Sequence, residues 1–192
     1  MDAVFAKLMR DMQACEQTPG VSVLEHGQQV WARTVQLIEY LMTGVPPTDW
    51  RLPQWVEQYR RPLFRELAPD FIIREYTLFH DCGKPYCLAT PERKFPDHAQ
   101  KSAETWISVG GNEWAADLMR RDMQIHTIKA DGVESFAAYE WATTLMLVGL
   151  AEIHANAQMF GGLESQSFKI KCKQIDRRGR AICKHLFGAP HA

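Results

Sequence analysis

His80-Asp81, in the string Phe79-His80-Asp81-Cys82-Gly83-Lys84-Pro85, is the strongest chemical feature of the sequence. An imidazole nitrogen beside a hard carboxylate oxygen suits a divalent transition metal or a magnesium-like ion. Neighbours on a helix point about 100° apart, so the pair converges on one point only where a helix ends. Gly83 and Pro85 predict such an end. Other groups with ligand or proton-transfer chemistry are spread along the chain. His26 stands in Leu24-Glu25-His26-Gly27, His98 in Phe95-Pro96-Asp97-His98-Ala99 and His126 in Ile125-His126-Thr127. Glu152 stands in Leu150-Ala151-Glu152-Ile153-His154-Ala155, among the most apolar residues of the chain. A carboxylate there needs a positive partner, either a metal or an arginine. His154 falls on a different helix face, and Asp122 and Asp131 are the alternative acids.

The elements that would carry these groups are almost all helical. Val4, Phe5, Leu8 and Met12 space a helix over 3–15. Thr18-Pro19-Gly20 breaks the chain. Ser22 with Glu25 forms a capping-box pattern for a helix reaching Met42, ended by Gly44 and Pro46-Pro47. Residues 48–69, punctuated by Pro53 and Pro62, are short helix or loop, with Trp50 and Trp55 over the core. Asp70 reads as the N-cap of a helix over 71–80. After a loop over 86–96, Asp97 reads as the cap of a helix to Val109. A further helix covers 113–126, a long apolar one 136–159, and a last one 165–187. About seven helices and no convincing hairpin predict an all-α bundle in a single domain, 1–192, with a core over about 22–160.

Composition narrows the classes. The chain has 192 residues, 46% hydrophobic and 23% charged, with net charge −1. That suits a globular domain with a core of its own and excludes wholesale disorder. No run reaches the roughly 18 apolar residues of a spanning helix, and Lys7, Arg10 and Asp11 break any apolar leader near the start. Five cysteines at wide spacing, without C-x-x-C, predict reduced thiols and a cytoplasmic setting.

The order His26, His80-Asp81, His98, His126, acid on an all-α frame resembles the HD-domain superfamily of metal-dependent phosphohydrolases. H-D-x-G-K at 80–84 looks like a variant common in that superfamily, and F-P-D-H-A at 95–99 resembles the segment that follows in some of its phosphodiesterases. The likeness runs over about 22–160. One departure is Glu152, where the superfamily usually has aspartate. The resemblance implies an HD-type helical bundle and the metal ligands His26, His80, Asp81, His98, His126 and Glu152, for one divalent ion or two among Mn, Fe, Co, Ni, Mg and Zn. With two ions, about 3.5–4 Å apart, Asp81 would bridge and an activated hydroxide would attack phosphorus. Lys84 would neutralise the phosphoryl oxygens. The implied activity is a phosphomonoesterase or phosphodiesterase acting on a nucleotide, a cyclic nucleotide or an RNA end. The substrate is then a phosphorylated small molecule or nucleic-acid end, with no membrane partner. The same ligand set also serves di-iron oxygenases, and a degenerate site would leave a nucleotide-binding module.

Two features stand apart from this set. Residues 169–184 hold seven Lys and Arg against Asp176 alone, either a solvated helix face or a surface for a polyanion. Trp31, Trp106, Trp114 and Trp141 read as core packing, and Tyr86 and Phe95 flank the loop after the His-Asp pair.

Overall fold

A computed structural model of the chain describes residues 3–90 and 94–189. Helix α1 (Ala3–Ala14) leads into an antiparallel hairpin, β1 (Glu16–Thr18) and β2 (Val21–Ser22). Then follow α2 (Val23–Thr43), α3 (Gln54–Gln58), α4 (Arg60–Arg65), α5 (Asp70–Phe79), α6 (His98–Ser108), α7 (Glu113–Arg121), α8 (Gln124–Thr127), α9 (Val133–Ala137), α10 (Ala142–Ala155) and α11 (Gln166–Phe187). Short 3-10 turns cover Lys84–Tyr86 and Ala130–Gly132. The class is all-α, as expected, with more helices than seven. Among the described residues no helix is long and apolar enough to cross a membrane.

The differences from the sequence reading have physical causes. The break at 18–20 is the turn of a hairpin that was not expected: Gly20 takes φ +78°, and Thr18 pairs with Val21. Asp70 is the first residue of α5; Pro69 holds the cap position without a side-chain bond. Asp97 does occupy the N-cap of α6, but at φ +53° and with no side-chain cap bond. The expected helix over 113–126 is interrupted at 122–123, where buried Asp122 accepts a 2.5 Å hydrogen bond from the Tyr76 hydroxyl. The expected helix over 136–159 divides into α9 and α10. An apolar run without periodicity carries no local sign of such a break. Trp114 lies 57% exposed on the first turn of α7, so it is not a core residue.

The chain forms two compact units. One comprises Met1–Trp31 with Pro69–Met123, and the other Ala32–Ala68 with Gln124–Ala192. In the first, α7 packs on α5 and α6. Its core holds Leu8, Met12, Ile72, Ile73, Leu118 and Met119, with Phe79 stacked on Trp106 at 4.3 Å. In the second, α10 is buried on nearly every side, which its uniformly apolar sequence requires. It packs against α8, α9 and α11. Gly179 on α11 makes room for Trp55: a Cβ there would sit 2.4 Å from the indole.

Candidate functional site

The site is built from helix ends. Ser22 and Glu25 close the capping box: the Glu25 amide donates to Ser22 Oγ at 3.1 Å, and the Ser22 amide donates to Glu25 Oε2 at 2.8 Å. This starts α2 and fixes His26 in its first turn, fully buried. The next residue explains how close α2 comes to α5. A Cβ at Gly27 would lie 2.2 Å from the carbonyl oxygen of Leu78, so only glycine permits the approach. As a result the His26 and His80 rings meet edge to face, with centroids 5.2 Å apart.

His80 caps the C-terminus of α5. Its Nδ1–H donates to the Thr77 carbonyl at 2.9 Å. With Nδ1 committed to that carbonyl, Nε2 is the nitrogen directed outward, and in the neutral ring its lone pair is the donor metal-ligating histidines use. His98, at the first position of α6, repeats it: Nδ1–H donates to the Phe95 carbonyl at 3.2 Å.

Asp81 is the hub. Its Oδ2 lies 2.6 Å from Lys84 Nζ, 3.3 Å from His80 Nε2, and 3.6 Å from His26 Nε2. Its Oδ1 is buried, accepts no hydrogen bond from the described residues, and has His98 Nε2 at 3.8 Å. Burial raises the Asp81 pKa, but Lys84, then His80 and His26, outweigh it and hold the carboxyl well below its ordinary value. Asp81 is therefore ionised at neutral pH. Gln17 on β1 was not found from sequence. It donates to Asp81 Oδ2 at 3.3 Å and accepts from Lys84 Nζ at 2.9 Å. No local signal marks it, because it arrives on the unexpected hairpin.

Gly83 sets the distance between the His-Asp turn and α6. A Cβ there would lie 2.3 Å from the Ser102 nitrogen and 2.4 Å from the Lys101 carbonyl carbon. In its absence the Gly83 amide donates to Ser102 Oγ at 3.0 Å, and the buried Cys82 thiol donates to the Ser102 carbonyl at 3.3 Å. The glycine of H-D-x-G-K thus docks the turn on the helix that carries His98.

Within the second unit, His126 Nε2 and Glu152 Oε2 are 2.9 Å apart, both half-buried. The Glu152 carboxylate thus lies beside an imidazole nitrogen. Gly149 permits it, since a Cβ would meet Ile125 at 2.6 Å. His154 is structural: buried, it donates through Nδ1–H to the Leu150 carbonyl at 2.8 Å and accepts the Arg51 amide at Nε2. Burial lowers its pKa to about 4. Asp122 is engaged by Tyr76, and Asp131 is exposed on a 3-10 turn.

Ligand atoms of His26 and His80 lie within 4.8 Å of one another, with the Asp81 carboxylate between 3.3 and 3.6 Å of their Nε2 atoms. Two imidazole nitrogens and a carboxylate, one of whose buried oxygens accepts no hydrogen bond, form a donor set that fits a divalent ion. No protein family, curated protein or solved structure matches the chain.

Proposed function

We propose that the chain is a metal-dependent phosphohydrolase of the HD-domain type, acting as a phosphomonoesterase or phosphodiesterase on a nucleotide, a cyclic nucleotide or an RNA end. The observation that carries this reading is the buried convergence of His26, His80 and ionised Asp81, with Asp81 Oδ1 accepting no hydrogen bond. His98, with its Nε2 3.8 Å from that oxygen, adds a third imidazole to the set. The sequence pattern adds His126 and Glu152 as the remaining ligands. A cytoplasmic setting belongs to the same reading and agrees with five free cysteines.

A bound divalent ion would supply Lewis acidity toward a phosphoryl oxygen and bring the pKa of a water toward neutrality. The chain's own groups do the rest. The Thr77 and Phe95 carbonyls hold the rings of His80 and His98 in one tautomer. Lys84 keeps Asp81 ionised and holds a cationic ammonium beside it, able to neutralise a phosphoryl oxygen. Gln17 fixes Lys84 and Asp81 relative to each other.

The test pairs elemental analysis of protein purified without chelator with hydrolysis assays on a phosphomonoester, a 2′,3′-cyclic nucleotide and a phosphorylated oligoribonucleotide. The expected result is a stoichiometric divalent metal that falls in His80→Ala and Asp81→Ala, with hydrolysis lost in parallel. Metal loss in His98→Ala and Glu152→Ala would support the full six-residue set. A protein that takes up no metal after reloading, or a fully active Asp81→Ala variant, overturns the proposal. Iron with substrate-dependent oxygen uptake and no hydrolysis replaces it with the oxygenase.

A further inference from the structure

Beside the Asp81–Lys84 pair, and wholly within the first unit, opens a cavity of about 580 Å³. Its size falls in the ~300–1,000 Å³ range of small-molecule sites. Three ammonium groups line it: Lys7, Lys84 and Lys94. Each lies over an aromatic ring, Lys7 over Tyr86 at 5.5 Å, and Lys84 and Lys94 over Phe95 at 5.3 and 5.0 Å.

Their charges are balanced unequally. Lys84 is neutralised by Asp81, and Lys7 by Asp11, which also accepts the Tyr86 hydroxyl at 2.6 Å. Lys94 donates to the Glu16 carbonyl at 2.7 Å and lies over Phe95. Neither partner is an anion, and among the described residues no carboxylate pairs with it. Lys94 therefore brings to the cavity a positive charge that an anion would balance. Among the described residues Asp11 is the one acid on the cavity wall, and it is already engaged by Lys7 and Tyr86.

We propose that this cavity is an anion subsite in which Lys94, with Lys84 and Lys7 around it, holds a phosphate of the substrate other than the one cleaved. The inference rests on the phosphohydrolase reading and deepens it. It selects substrates with a second phosphate near the scissile one, as an oligoribonucleotide end carries and a mononucleotide does not. Lys94 is a binding residue in this scheme and takes no part in the chemical step.

The decisive experiment titrates inorganic phosphate into the metal-free protein, in chelator, followed by amide chemical shifts. Without metal, the titration reads the cavity alone. The expected result is saturable shifts at Tyr86, Lys94 and Phe95, with half-saturation raised roughly tenfold in Lys94→Gln, the loss of one charge-assisted contact. Lys173→Gln on α11 should leave the titration unchanged. Shifts absent from these residues, a midpoint unaltered in Lys94→Gln, or shifts confined to 169–184 each overturn the inference. Lys94→Gln should keep the metal content of the wild type while raising KM only for substrates with the second phosphate. Failure of metal binding with phosphate binding intact would sink the hydrolase reading and leave an anion site. The reverse outcome would sink the subsite alone.

Discussion

Gly83→Ala isolates the contact that places the His-Asp turn against α6. The backbone conformation at Gly83, φ −81° and ψ −15°, is one that alanine adopts freely, so conformational strain does not enter. Alanine would even gain about 0.4–1 kcal/mol by restricting the unfolded chain. Against that stands a Cβ placed 2.3 Å from the Ser102 nitrogen and 2.4 Å from the Lys101 carbonyl carbon. Both are backbone atoms within the helix, which cannot rotate out of the way as a side chain would. Overpacking of this kind costs about 1–3 kcal/mol. The 3.0 Å bond from the Gly83 amide to Ser102 Oγ is stretched with it, for about another 1 kcal/mol. The expected net loss is about 2–3 kcal/mol, a fall in Tm of roughly 5–10 °C for a chain of this length. Gly110→Ala is the control, with φ +81° and nothing within 4 Å of the added Cβ. It should cost only the left-handed penalty of about 1–2 kcal/mol. Thermal unfolding followed by circular dichroism compares the two, and metal content measured on the same samples should drop in Gly83→Ala alone. A Gly83→Ala protein as stable as wild type, or less affected than Gly110→Ala, would refute the packing argument.

Three further outcomes follow from named contacts. Ser22→Ala removes the side-chain acceptor for the Glu25 amide and a donor to its carboxylate; it should cost about 1 kcal/mol in urea unfolding and lower metal affinity by loosening the start of α2. His154→Ala removes a buried ring that accepts the Arg51 amide and stacks on Trp50 at 4.1 Å. It should cost about 2–4 kcal/mol while leaving metal content unchanged, and a drop in metal would make His154 a ligand after all. The Asp11 carboxyl is held below its ordinary value by hydrogen bonds from Lys7 and Tyr86. A depressed carboxylate stabilises above the unfolded value and loses its effect as pH falls through the folded one. The stability difference between wild type and Asp11→Asn should therefore be full at neutral pH and vanish in strong acid; a difference constant with pH would rule this out.

Patterns with short range were legible in the sequence. The Ser22/Glu25 capping box formed where the residue types predicted, and the last helix starts as expected, with Ser165 as a cap that accepts the Phe168 amide at 3.1 Å. The helix end ahead of Gly83 and Pro85 formed as well, at Phe79 with His80 as its cap. Each involves groups within a few residues, whose geometry the backbone itself dictates. The all-α class followed from the same local periodicity. What failed was the placement of breaks inside long helical signals, at 122–123 and between α9 and α10, because a buried hydrogen bond such as Tyr76 to Asp122 joins residues far apart in sequence.

The candidate site divides along the same line. The sequence by itself determined the ligand-capable types at His26, His80, Asp81 and His98 and the helix end that turns His80 and Asp81 together. Tertiary structure decided that His26 reaches Asp81, because Gly27 yields its Cβ volume to the Leu78 carbonyl. It likewise gave Asp81 the partner Gln17, gave Glu152 the partner His126, and withdrew His154 into the core. The physical reason is range. Capping and helix termination are settled by neighbours in the chain. A buried carboxylate takes its partners from whatever packing brings within hydrogen-bonding distance, and no local pattern encodes that choice.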